Sequence, residues 1–293
     1  MTSWGEAERI AWRATCTPQR SYARDVLTRI DALRDRYDVV SYGRLDYPEG
    51  PYPLLALCSK ESDPTLPLML VTGGVHGYET SGVLGALAFL EGSAAAWAGK
   101  ARIAVAPCVS PWGYEVVHRW NPHALDPNRN MTVDSAAEEC AALVRWVRSL
   151  GPVRMHIDLH ETTDSDNTTF RPAKAARDGV PLALTPIPDG FYLVGRADRP
   201  ARAFQAAIRD AVAEVTPIAP ADDQGQLIGV DIEDEGIILY DVQSLGLCMG
   251  ITEAPFATTT EVYPDSPRTD PATCAQAQVT AVDSAIAYAL AHG

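Results

Sequence analysis

His76 and Glu79 stand three residues apart in Gly73-Gly74-Val75-His76-Gly77-Tyr78-Glu79, directly after the apolar run 68–72. At the start of a helix, that spacing lets both side chains project from one turn. Imidazole nitrogen and carboxylate oxygen both bind Zn2+, which in catalytic sites takes three protein ligands and keeps a position open. The same pair also reads as a polar helix start with a capping glutamate. A third ligand would decide between these readings. It is best sought in Met155-His156-Ile157-Asp158-Leu159-His160-Glu161, where strand alternation puts His156, Asp158 and His160 on one face. His160 ends the run and is the candidate ligand. His156 lies deeper, as a core histidine would, and Asp158 can orient a neighbouring imidazole through a hydrogen bond. His118 and His123 fall in a polar loop and are weaker candidates.

Three further segments hold reactive or recognition groups. Asp126-Pro127-Asn128-Arg129-Asn130-Met131 offers a planar guanidinium that can grip a carboxylate bidentately, with an adjacent amide donor. It is equally a surface turn rich in Asp, Pro and Asn. Glu253 follows the apolar run 247–252; a glutamate there is costly to bury unless paired, which invites a functional explanation. Its plainer reading is a carboxylate that reaches solvent. Arg171, in Thr169-Phe170-Arg171-Pro172, could bind a second carboxylate of an acidic substrate or simply be a loop arginine.

These residues must be positioned by regular elements. Apolar runs at 68–72, 103–107, 155–159, 237–240 and 247–252 read as buried strands. Helical spacing covers 20–37, 81–91, 136–150, 200–215 and the alanine-rich 271–292. Alternation of the two implies an α/β fold, a three-layer α/β/α sandwich around a mostly parallel mixed sheet. Sites in such sheets gather at the carboxyl ends of the strands, where the residues above fall.

Composition narrows the function classes. The chain has 293 residues with Lys+Arg 24 against Asp+Glu 38, a formal charge of -14. Nucleic-acid affinity rests on neutralising phosphates with basic side chains, so that balance and the lack of a basic run exclude it. No apolar stretch approaches the ~20 residues that span a bilayer. The first residues show no basic segment followed by an apolar one, so the expectation is a cytoplasmic protein with neither leader nor membrane association. The six scattered cysteines form no Cys-x-x-Cys pair and are expected as reduced thiols.

Taken together, the motifs resemble the zinc carboxypeptidase family, with its succinylglutamate desuccinylase and aspartoacylase relatives. The resemblance spans scattered blocks from Leu68 to Phe256. Gly73 to Glu79 is similar to the family's Gly-x-His-x-x-Glu metal motif. Pro111-Trp112-Gly113-Tyr114 and Asp126-Pro127-Asn128-Arg129-Asn130 resemble its Asn-Pro-x-Gly and Asp-x-Asn-Arg-Asn elements. Asp158-Leu159-His160 resembles the third-ligand strand, and Ile251-Thr252-Glu253 the strand bearing the catalytic glutamate. Ser110 replaces the family's Asn, and Pro127 is unusual between Asp126 and Asn128.

The resemblance implies one zinc carboxypeptidase-like catalytic domain over 1–293. His76, Glu79 and His160 would hold Zn2+, with Glu253 as general base and acid. Asn128 and Arg129 would bind the substrate's terminal carboxylate. Asp126 would orient His76, Arg119 would stabilise the oxyanion, and Tyr240 would close over substrate. The implied activity is a metallocarboxypeptidase cleaving a C-terminal amide bond. Alternatives are a deacylase of N-acyl amino acids and, less favoured, an inactive binding protein on the same fold. Either enzyme takes a peptide or N-acyl amino acid with a free carboxylate.

Overall fold

The computed structural model describes residues 2–60 and 63–292. Ten strands form one sheet: β1 (Tyr37–Tyr47), β2 (Gly50–Ser59), β3 (Leu68–Gly73), β4 (Arg102–Ala106), β5 (Met155–Glu161), β6 (Tyr192–Arg196), β7 (Gln226–Leu227), β8 (Val230–Asp234), β9 (Ile237–Tyr240) and β10 (Phe256–Val262). Their spatial order is β1-β2-β4-β3-β5-β10-β6-β9-β8-β7. The centre, β4-β3-β5-β10, is parallel, so these four strands end on one side. Antiparallel pairs flank it, notably the long β1–β2 hairpin.

The helices are α1 (Glu6–Thr15), α2 (Thr28–Ala32), α3 (Thr80–Glu91), α4 (Pro111–Val116), α5 (Glu138–Ser149), α6 (Arg171–Asp178), α7 (Arg202–Ala213) and α8 (Pro271–Ala291). On one face, α2, α3, α7 and α8 pack with Met155, Ile157 and Leu159 of β5 in the larger core. On the other, α5 covers Leu70, Ala104 and Ala106. Strand alternation therefore sends the odd-numbered apolar residues of β5 into the first core, while His156, Asp158 and His160 face the second side. The sandwich expected from the sequence is the one observed.

The run 247–252 is a difference. Its residues Cys248–Ile251 form a 3-10 turn, and no strand. The place beside β5 belongs instead to β10, whose Thr258-Thr259-Thr260 run is β-branched but polar. The peptide NH of Cys248 is captured by Asn128 Oδ1 at 2.7 Å, which pins the turn away from the sheet. Likewise the helical stretch read at 20–37 stops at Ala32, after a π turn over Ala23–Leu27, because Tyr37 opens β1. All six cysteines are unbridged. Among the described residues, no helix is long and apolar enough to cross a membrane.

Glu139, in the first turn of α5, is 1% exposed and neither of its oxygens is hydrogen-bonded. Burial pushes its carboxyl up to about 7 from an ordinary value of 4.5. The folded state thus holds the proton more tightly than the unfolded chain. The associated stability is complete below pH 4.5, declines as pH rises and is gone above about 7. Glu139→Gln should match the parent near pH 4.5 and exceed it at pH 8 by on the order of 3 kcal/mol, read by urea unfolding at both values. Equal stabilities at pH 8 would contradict this.

Candidate metal centre

The loop after β3 carries His76 and Gly77 into close contact with α4. A Cβ on Gly77 would lie 2.1 Å from the backbone of Gly113 and Tyr114, so only glycine admits this approach. Ser110, at the position where the related motif has Asn, donates its hydroxyl to the Val75 carbonyl at 2.7 Å and ties the same loop. Glu79 is the N-cap residue of α3, yet its side chain does not cap the helix. Glu161, at the end of β5, does so instead: its oxygens accept from Thr80 N at 3.0 Å and Ser81 N at 2.6 Å. Glu79 is thereby free to face two imidazoles, and the capping-glutamate reading falls away.

His76 Nδ1 lies 2.6 Å from Glu79 Oε1, and His160 Nδ1 lies 2.7 Å from Glu79 Oε2. One ligand atom from each of the three residues falls within 4.8 Å of the others, and all are buried. The far nitrogens are held by carboxylates: His76 Nε2 by Asp126 at 3.1 Å and His160 Nε2 by Asp158 at 2.7 Å. Asp158 is fixed in turn by the Thr72 hydroxyl at 2.6 Å. Outer carboxylates of this kind set the ring orientation and raise ligand basicity. Glu79 Oε2 and His160 Nδ1 are fully buried and lack a well-directed hydrogen bond despite their proximity. Buried polar atoms are rarely left so. Two imidazoles, one carboxylate and two such atoms aimed at a common point fit a divalent cation.

Burial disfavours charge at every one of these groups, but the local partners outweigh it. The flanking imidazoles hold Glu79 well below the usual carboxylate range. Arg119 and His76 do the same for Asp126, and Asp158 with Glu79 raises His160.

Gln278 of α8 braces the site from behind. Its Nε2 donates to the His160 carbonyl at 2.9 Å and to Ser81 Oγ at 3.3 Å, while its Oε1 accepts from Thr260 Oγ1 at 2.6 Å. A Cβ at Gly85 would come within 2.5 Å of the Gln278 Cβ, so glycine there lets α3 and α8 meet at this amide.

A cavity of about 190 Å³ opens beside His76. Arg119, Asn128, Arg129 and Tyr240 line it. Arg119 Nε donates to Asp126 at 3.1 Å and its guanidinium lies 4.3 Å above the Phe170 ring. Asn128 turns its oxygen to the Cys248 NH, so its role is to shape the wall as much as to offer a donor. Arg129 is exposed, and Nη1 donates to its neighbour's carbonyl at 2.6 Å. His156 is a core histidine, 3.1 Å from Thr72 Oγ1, kept neutral by burial with its value lowered to about 4. His118 and His123 stand outside the metal trio, packed on Trp12 and Tyr47.

Glu253 is not brought to this cavity. Its side chain is 70% exposed and pairs with Arg199 at 3.1 Å, beside the loop that precedes β5. It precedes the amino end of β10, whereas the metal trio lies at the carboxyl ends of the strands. Two glutamates do line the cavity: Glu161, whose oxygens cap α3, and Glu261, which lies near the carboxyl end of β10 in register with His160. Glu261 Oε2 accepts the Thr162 hydroxyl at 2.9 Å, and burial pushes its carboxyl up to about 8. Sequence reading passed over it because the preceding residues are threonines and not an apolar run. The signal available was the β-branched triplet ending in a single acid.

No protein-family model matches the sequence, and no curated protein matches it. Solved structures match closely in fold. A candidate metallopeptidase from Shewanella denitrificans superposes with a TM-score of 0.65 at 18% identity, covering 89% of this chain and 88% of that one. A metallo-carboxypeptidase from Burkholderia cenocepacia gives 0.63 at 15% identity, with 91% and 68% covered. The carboxypeptidase A from Helicoverpa armigera gives 0.61 at 14%, with 98% and 80% covered. The chain therefore has the fold of the metallo-carboxypeptidases.

Proposed function

We propose that this chain is a zinc-dependent metallocarboxypeptidase that hydrolyses a C-terminal amide bond. The observation that carries the reading is the buried His76, Glu79 and His160 cluster, with its undirected buried atoms, opening on a cavity that also holds Glu261, Arg119 and Arg129. A divalent ion held by those three side chains would polarise the scissile carbonyl and lower the pKa of a water. Glu261 replaces Glu253 as the proton carrier: it takes the proton from water and delivers it to the departing amine. A carboxyl lifted toward neutrality suits both directions of transfer. Arg119, fixed by Asp126, faces the negative charge that develops on the carbonyl oxygen. Arg129 holds the terminal carboxylate and so selects which amide is presented, with Tyr240 across the cavity.

The N-acyl amino acid deacylase reading uses the same groups. An inactive binding protein would have no need of a buried proton carrier beside the metal ligands. With Zn2+ supplied, N-blocked dipeptides should release their C-terminal residue, and the same peptides as C-terminal amides should not. Cleavage confined to simple N-acyl amino acids would replace the peptidase reading with the deacylase one, and inertness toward both classes would end the hydrolase reading.

A further inference from the structure

A second recess, of about 450 Å³, adjoins the metal cavity. Arg119, Arg129, Phe170 and Arg171 line both, so the two spaces meet at a wall of guanidinium groups. Six cations line the second recess, namely Arg9, Arg119, Arg129, Arg171, Lys174 and Arg177, against Asp126 and Asp178 alone. The whole chain has only 24 Lys and Arg against 38 acids, so a quarter of its positive side chains converge on one recess of an acidic protein. They come from α1, the loop after α4 and α6, so no single helical periodicity explains the grouping.

The acids present neutralise part of this charge. Asp178 holds Lys174 at 2.9 Å and Arg177 at 2.7 Å, and Asp126 holds Arg119 at 3.1 Å. Arg9, Arg129 and Arg171 form no ion pair among the described residues; each donates to a backbone carbonyl, of His123, Asn128 and Ala183 respectively. Clustered like charge focuses the field in a concave site and draws anions to it. Arg171 spends Nη1 on a carbonyl, which leaves Nε and Nη2 for the fork geometry that carboxylates prefer. If Arg129 takes the terminal carboxylate, Arg171 on the same wall is unassigned.

We propose that Arg171, with Arg9 lining the same recess, forms a second carboxylate subsite, and that the residue released from the substrate is acidic. As a statement about substrate this rests on the hydrolase reading above; as a binding site it stands on the recess alone.

Calorimetric titration of the zinc-loaded chain with glutarate, butyrate and inorganic phosphate tests the site without turnover. Glutarate should bind about tenfold more tightly than butyrate, since one charge-assisted bidentate pair is worth about that factor. Added salt should erode the difference. Arg171→Gln should abolish the preference and Arg171→Lys should restore part of it. Arg9→Gln should weaken it, which guards against a folding defect at one position. Equal affinity for glutarate and butyrate, or phosphate binding as tight as glutarate, would overturn the proposal. In the kinetic arm, Arg171→Gln should lower kcat/KM about tenfold for blocked dipeptides ending in glutamate and leave those ending in glutamine unchanged. Glutarate selectivity without peptide cleavage would sink the hydrolase reading and keep the subsite. Cleavage of both peptides with equal efficiency would do the reverse.

Discussion

Glu261→Gln should lower kcat by about 10²–10⁴-fold, the range over which a positioned acid–base group acts, with zinc content unchanged. The amide keeps the size of the side chain and can still accept the Thr162 hydroxyl, so the cavity keeps its shape. What disappears is the ability to receive a proton beside His160, the residue paired with position 261 across β5 and β10. Glu253→Gln is the matched control. That side chain is exposed and its partner is Arg199, so its loss should leave kcat within a factor of two. Metal analysis and steady-state kinetics on both variants decide the matter. Full activity in the first together with inactivity in the second would return the role to Glu253.

Glu79→Ala should remove the metal. The parent chain is expected to bind about one zinc ion with a gain in unfolding free energy near ~4 kcal/mol at a thousandfold excess over Kd, and the variant to show almost none. Glu79 is the central member of the cluster: its two oxygens face the two imidazoles, so its loss leaves His76 and His160 without the carboxylate that completes the set. The zinc-dependent gain is the quantity to measure, by thermal unfolding with and without the ion. Stability of the ion-free variant is a poorer guide, because Asp126 and Asp158 already flank the same rings and one fewer buried acid lessens their mutual repulsion. An undiminished gain in the variant would remove Glu79 from the ligand set.

The centre of the fold was legible because burial on both faces forces the middle strands to be apolar. The runs at 68–72, 103–107 and 155–159 became β3, β4 and β5 almost unchanged. Of the three candidate ligands, His160 followed from strand alternation, which β5 keeps; His76 stands in the loop before α3 and Glu79 at its N-cap, so that pair meets through a turn and not through helical spacing. The error at 247–252 arose where that logic inverts. Cys248 and Met249 are apolar because both are fully buried, Cys248 in the core with Leu70 and Val75 and Met249 in the core with Tyr192 and Val194, not because they lie in a sheet. The neighbouring strand, β10, could be polar because Thr258 and Thr260 satisfy their hydroxyls internally, on the Val194 carbonyl and on Gln278. Long-range partners of that kind leave no trace in a local window. The β1–β2 hairpin and α1 were missed for a related reason. α1 and β1 are largely exposed, so their apolar residues are too sparse to stand out, whereas β2 does carry an apolar run, Leu54-Leu55-Ala56-Leu57-Cys58, short and set between Pro53 and Ser59.

Gln278 has a consequence for how this chain can vary. Its carboxamide is useful only while Ser81 and Thr260 present hydroxyls to it and Gly85 leaves room for its stem. Four positions on three separate elements, α3, β10 and α8, are thus bound into one unit of inheritance. Descendants should keep the quartet whole or exchange it whole, and a lineage with leucine at 278 should also have lost the hydroxyls at 81 and 260.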